Sequence, residues 1–159
     1  MDNISHLSTQ KIHKMGIDFA IEAAKSHNDM LIQSRTDPDQ FVVDTEYGLR
    51  GVIFCCSTKH KNKDRINCNI SKKENQNRTT LLNEYSNKFY ILVHMDLENN
   101  INRFFKISHT DLCMLVYKND CIRTNNPNMT IKEWLCNGCG RNNISIESLV
   151  SGGYEVWNN

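Results

Sequence analysis

The chain has no strong charge of either sign. Nineteen lysines and arginines against eighteen aspartates and glutamates leave a formal net charge of +1, whereas a domain devoted to non-specific nucleic-acid binding carries a marked basic excess. The balance is not acidic enough for a nucleic-acid mimic either. Long apolar runs are also missing: no stretch approaches the roughly 20 residues that a membrane-spanning helix needs. Met1-Asp2-Asn3-Ile4-Ser5-His6 has no basic flank followed by an apolar run, so no secretory leader is read there. The seven cysteines are odd in number and irregularly spaced. Without an export signal they read as reduced thiols, which points to the cytoplasm.

Motifs that carry a mechanism are scarce as well. No glycine-rich phosphate loop is present; Gly152-Gly153 lacks the preceding strand and following helix. No Gly-x-Ser-x-Gly nucleophile elbow occurs. The histidines His6, His13, His27, His60, His94 and His109 show neither HxH nor HExxH spacing. Cys136-Asn137-Gly138-Cys139 is a lone CxxC. A structural zinc site takes four ligands, and His109, Cys113 and Cys121 supply no matching second pair, so two thiols in or near the core are the plainer reading. Cys55-Cys56, within an apolar run, read as core packing rather than as a nucleophile. No metal and no cofactor is expected from these patterns.

What is present is one ordinary domain's worth of chain. At 159 residues it can bury about two-thirds of its unfolded surface and fold without disulfides or metal. Hydrophobic content is 39%, near the globular average once the many asparagines are allowed for. Those cluster at Asn99-Asn100, Asn125-Asn126, Asn142-Asn143 and Asn158-Asn159 and read as compositional bias of the coding sequence. No internal repeat or long linker divides the chain.

Periodicity sets the element order. Ile12, Met15, Phe19 and Ala23, widened by Ala20 and Ala24, predict an amphipathic helix over residues 11–27, with Ser8 or Thr9 as cap. Met30-Leu31-Ile32 is a short apolar run closed by the turn Asp37-Pro38-Asp39. Gln40 to Asp44 and Gly51 to Ser57 read as two strands joined near Tyr47-Gly48; the second is apolar throughout, as in a strand covered on both faces. Phe89, Ile91, Val93, Met95 and Leu97 alternate along another strand, with His94 on what this pattern makes a polar face. The turn Glu98-Asn99-Asn100 leads to a hairpin partner over Ile101 to Ser108. Ser108 with Asp111 starts a helix to about Tyr117, and Thr130 with Glu133 starts a short one carrying Trp134 and Leu135. Ser145 to Val150 predicts a last short helix ended by Gly152-Gly153, and Tyr154 to Trp157 a closing strand. Trp134 and Trp157 are core or interface anchors.

Helix, hairpin, basic segment, then a second strand pair resembles the heart of PD-(D/E)XK nuclease-like domains. The local words are Lys14-Met15-Gly16 with Phe19-Ala20, Phe41-Val42-Val43, Val52 to Thr58, and Phe89 to Ser108. The resemblance covers residues 10 to 118, leaving 119–159 as an extension of short elements. It implies an α/β (α+β) fold, a mixed central sheet of four to five strands flanked by helices. In that family an Asp and a Glu or Gln hold divalent cations that polarise the phosphate and activate water, with a Lys assisting. By position the Asp falls at Asp39 or Gln40, the second acid at Cys55 and the Lys at Ser57. Mg²⁺ prefers hard oxygen ligands, and a cysteine is a poor one. A rescue would pair Asp39 or Asp44 with Glu46 and bring in Lys59.

The expectation is therefore a nuclease-like scaffold without its metal site: a non-catalytic protein-binding domain, of the size and plainness of bacterial immunity proteins that neutralise a cognate toxin. Lys59, Lys61, Lys63 and Arg65, in the basic segment of residues 59–73, are the candidate partner contacts. The alternative is a divergent Mg²⁺-dependent nuclease using Asp39, Asp44, Glu46 and Lys59 on DNA or RNA. A third reading is a nucleic-acid-binding subunit using the same basic segment.

Overall fold

The computed structural model describes residues 8–29, 31–33, 40–44, 49–57, 64–67, 88–131, 133–134 and 143–158, with backbone alone for residues 32–57. The elements run α1 (Thr9–Ser26), β1 (Ile32–Gln33), β2 (Gln40–Asp44), β3 (Leu49–Ser57), β4 (Arg65–Asn67), β5 (Lys88–Asp96), β6 (Ile101–Ser108), α2 (His109–Arg123), β7 (Asn143–Ser145), α3 (Ile146–Ser151) and β8 (Glu155–Val156). No helix among the described residues is long and apolar enough to cross a membrane.

The architecture is mixed α/β. Strand order in the main sheet is β1-β2-β3-β5-β6-β8. Antiparallel triplets β1-β2-β3 and β5-β6-β8 meet at one parallel pair, β3 with β5, from Arg50↔Lys88 to Ser57↔Met95. β4 and β7 form a separate antiparallel pair. The main sheet has six strands where four to five are expected; β8 falls within the predicted closing strand Tyr154 to Trp157, and β1 is a two-residue edge piece.

Both faces of β5 are buried, which explains its hydrophobicity. Ile91, Val93 and Met95 face α1 in one cluster with Ile12, Ile17, Ala20, Ala24, Leu31 and Phe104. Tyr90 and Leu92 face the other way, packing with Phe105, Ile107, Leu112, Val116, Met129, Trp134, Ile144 and Leu149. His94 shares that second side and is 4% exposed, so the face that alternation marks as polar is interior. Period two identified one buried face; it had no signal for a strand covered on both. Met129, Trp134, Ile144, Ile146 and Leu149 contribute to the same cluster as β5, β6 and α2, and β8 adds to β6. The described residues after 119 thus pack into the same layers as β5, β6 and α2.

The helix ends follow from local chemistry. Ser8, Ser108 and Ser145 cap α1, α2 and α3, each hydroxyl accepting from the backbone N–H three residues on. Thr130 and Glu133 form a reciprocal capping box: Thr130 N donates to Glu133 Oε2 at 3.2 Å and Glu133 N to Thr130 Oγ1 at 3.1 Å. At the other ends, each helix closes with paired 6→1 and 5→2 bonds. They are Asp29 N to Ala24 O with Asn28 N to Lys25 O, Asn126 N to Cys121 O with Asn125 N to Ile122 O, and Tyr154 N to Leu149 O with Gly153 N to Val150 O. Such a closure puts one residue in the left-handed region: Asn28 (φ 56°), Asn125 (φ 53°) and Gly153 (φ 77°). Asn100 in the β5–β6 turn has φ 54°. Three asparagines therefore sit where glycine is the usual solution, because the short amide tolerates that conformation. Compositional bias alone does not account for them.

The sequence pattern misjudges two helices in detail. The buried line of α1 is Ile12, Gly16, Ala20 and Ala24, with Met15, Phe19 and Ala23 on its flank; small side chains let the helix lie close to the sheet, and the bulky ones pack beside them. α2 runs to Arg123, past the expected end at Tyr117; Asp120 on its last turns is held by Trp134, 14 residues on, and by Arg123.

Candidate functional site

β2 and β3 carry the positions that the nuclease resemblance picks out. Gln40 opens β2 opposite Val52, so Cys55 and Ser57 stand three and five positions further along β3, about 10 and 16 Å at roughly 3.3 Å per residue. Cys55 and Ser57 lie beside Val93 and Met95 of β5 in parallel register. Asp44 pairs with Leu49 at the other end of the hairpin. From Leu49 to Ser57 is the whole of β3, about 26 Å, and Lys59 follows two residues after Ser57. Asp44 thus stands far from the strand end at Ser57. Asp39, Glu46, Lys59, Lys61 and Lys63 lie outside the described residues, as do Cys136 and Cys139. Arg65 opens β4, exposed, its Nε 3.4 Å from Asp64 Oδ1.

The donor set at the resemblance's positions does not suit Mg²⁺. A cysteine and a serine stand where a carboxylate and a lysine are required, and the ion's preference is for hard, charged oxygens. Among the described residues no group of three or more His, Cys, Asp or Glu side chains is placed to hold a metal ion.

Three polar constellations come from the folded chain rather than from any motif. The first joins Tyr90, His109 and Cys113. His109 Nδ1 is 2.9 Å from the Tyr90 hydroxyl, and His109 Nε2 is 3.4 Å from Cys113 Sγ. Histidine beside thiol is the arrangement that activates a nucleophile, but His109 and Cys113 are 2% and 1% exposed, inside the cluster between α2 and the sheet. No substrate reaches it there, and the network ties the start of α2 to β5. The i, i+4 spacing of His109 and Cys113 was visible in the sequence; the Tyr90 partner, 19 residues earlier, was not.

The second centres on Asp120, 2% exposed. Its Oδ2 accepts from Trp134 Nε1 at 2.8 Å and its Oδ1 from Arg123 Nε at 3.3 Å. Trp134 is a core anchor, 4% exposed, with its ring edge against Tyr117.

The third surrounds a groove of about 830 Å³ between the second half of α1, the start of β6 and residues 155–158. Phe19, His27, Asn102, Arg103, Phe104 and Trp157 are among its walls. Arg103 forms a two-pronged ion pair with Glu155, Nε to Oε1 at 3.2 Å and Nη2 to Oε2 at 2.6 Å. Trp157 (φ 56°) turns the chain off the sheet edge; its ring rests on Phe104 and its Nε1 donates to Asp29 Oδ2 at 3.1 Å. β8 pairs only with Phe104 and Phe105, so β6 before Phe104 has no strand on its outer side among the described residues. The exposed Ile101, 53% accessible, stands on this stretch. His27 lies across the groove, its Nδ1 2.9 Å from Ala23 O and its Nε2 2.7 Å from Asn158 O. These bonds, the one to Ala23 first, raise its pKa above the ordinary 6.5.

Comparison of the chain with protein families, with curated proteins and with solved structures finds no match.

Proposed function

We propose that this chain is a non-catalytic protein-binding domain on a nuclease-like scaffold, acting as a bacterial immunity protein that neutralises a cognate toxin by covering it. The scaffold reading is supported by the order α1, β2–β3 hairpin, β5–β6 hairpin, the order that the sequence resemblance implies. One observation carries the loss of catalysis: the hairpin positions that would hold metal and lysine bear Cys55 and Ser57. The small size, the missing site chemistry and the analogy with small bacterial immunity proteins support the immunity function.

Binding in this reading is a large complementary interface steered by charge, with Lys59, Lys61, Lys63 and Arg65 meeting acidic groups of the toxin. The half-open edge of β6 and the groove beside it add a surface where backbone groups and the side chains of Ile101 and Asn102 can be met. No cofactor takes part. The runner-up is the Mg²⁺-dependent nuclease acting through Asp39, Asp44, Glu46 and Lys59.

Incubation with DNA and with RNA in Mg²⁺ or Mn²⁺ separates the two. The proposal expects both nucleic acids to remain intact. Cleavage that disappears in Asp39→Ala, Asp44→Ala or Lys59→Ala would replace it with the nuclease.

A further inference from the structure

Each ring nitrogen of His27 faces a backbone carbonyl, Ala23 O at 2.9 Å and Asn158 O at 2.7 Å. A carbonyl oxygen only accepts. Neutral imidazole has one N–H and one lone pair, so it can satisfy one of these carbonyls and must turn a lone pair toward the other. The imidazolium donates to both. One contact is local, within the last turn of α1; the other joins residues 131 apart in sequence. His27 is also the C-cap residue of α1, where the helix dipole favours a cation.

From this geometry we infer that His27 is a proton-operated latch, which holds residues 157–158 against the end of α1 and thereby sets the opening of the groove beside β6. The raised pKa agrees in direction, with the Ala23 bond its largest cause and the Asn158 bond the second. Neutral His27 keeps one N–H; the Ala23 carbonyl is held next to it within the same helix, so the contact given up is the long-range one to Asn158. The latch is closed below pH 6.5 and opens as pH rises through the raised value.

The charged groups that share the site with His27 are Glu22 and Lys25 from α1, Asp29 from the turn after it, which holds the Trp157 indole, and the Arg103–Glu155 pair from β6 and β8. His94 and His109 are buried on the far side of the sheet, the side of Tyr90. His13 is on α1 more than three turns before His27. On release, residues 157–158 remain attached through Trp157 to Asp29 and Phe104, so the segment loosens at one end without leaving the sheet.

The test is an NMR titration of the whole chain from pH 5.5 to 8.5, following the His27 ring, the Trp157 indole N–H and the amides of residues 156–158, with His27→Gln beside it. Gln keeps a donor but does not titrate. In the parent, the 156–158 amides and the indole should shift with the midpoint of the His27 ring, above 6.5. Amide exchange there, corrected for the intrinsic pH effect, should rise several-fold across the range. His27→Gln should show neither change while the resonances of the β5–β6 hairpin stay in place. A parent whose 156–158 signals ignore pH, or a His27→Gln variant whose signals still titrate, overturns the latch.

Discussion

The indole of Trp134 donates a 2.8 Å hydrogen bond to the buried carboxylate of Asp120. Fourteen residues separate the two, and the bond ties the last turns of α2 to the turn capped by Thr130 and Glu133. Removing the acceptor leaves a buried N–H without that bond, which costs about 1–3 kcal/mol. Asp120→Ala should lose about that much stability in urea unfolding, and Asp120→Asn, which keeps an acceptor oxygen, should lose less. Equal loss in the two variants would mean that the carboxylate is there for its charge.

Tyr90, His109 and Cys113 give a second structural test. Tyr90→Phe removes one hydrogen bond from a fully packed site and should cost about 1 kcal/mol. In the folded protein Cys113 should react with iodoacetamide far more slowly than the half-buried Cys121, and denaturant should erase the difference. The readout is peptide mass spectrometry of the two sites. Rapid alkylation of Cys113 in the native protein would show that the pocket opens and would revive a chemical role for the His–Cys pair.

The left-handed asparagines predict a split between two small residues. Asn28→Ala and Asn125→Ala should each destabilise by about 1–2 kcal/mol, because an L-residue with a Cβ is strained at positive φ. Asn28→Gly and Asn125→Gly should be neutral or slightly stabilising. Thermal or urea unfolding decides; alanine and glycine behaving alike would contradict the assigned helix closures.

Asp96 anchors the β5–β6 turn, its two carboxylate oxygens accepting from the Asn99 backbone N–H at 3.2 Å and side-chain amide at 2.8 Å. The side-chain bond first, and the backbone bond second, lower its pKa below 3.8. Since the folded-state pKa lies below the unfolded one, the stabilisation is complete above the ordinary value and disappears as pH falls through the lowered one. Asn99→Ala should return the Asp96 titration, followed by NMR, toward 3.8. A midpoint unchanged by that substitution would assign the shift to something other than Asn99.

Much of the scaffold was legible because local chemistry wrote it. Ser8, Ser108 and Thr130 announced helix starts, and the alternation from Ile91 to Met95 announced a buried strand face. The second face of that strand was not legible: Tyr90, Leu92 and His94 are buried by α2 and by residues far along the chain, and no short window contains that fact. The polar sites show the same limit. His109 and Cys113 are four apart, but their meaning depends on Tyr90; His27 depends on Asn158 and Asp120 on Trp134. The register of β2 on β3 also decides something that spacing left open, by placing Asp44 at the hairpin end remote from Ser57. Asp39, Glu46 and Lys59 fall outside the described residues.

The most direct measurement of the central claim is calorimetric titration of this protein with the product of the gene beside its own, at low and at moderate salt. A toxin–immunity protein pair predicts tight, stoichiometric binding. Replacing Lys59, Lys61, Lys63 and Arg65 together by Ala should weaken it and flatten its salt dependence. No heat of binding to that product, together with metal-dependent cleavage of DNA or RNA by this chain alone, would contradict the account.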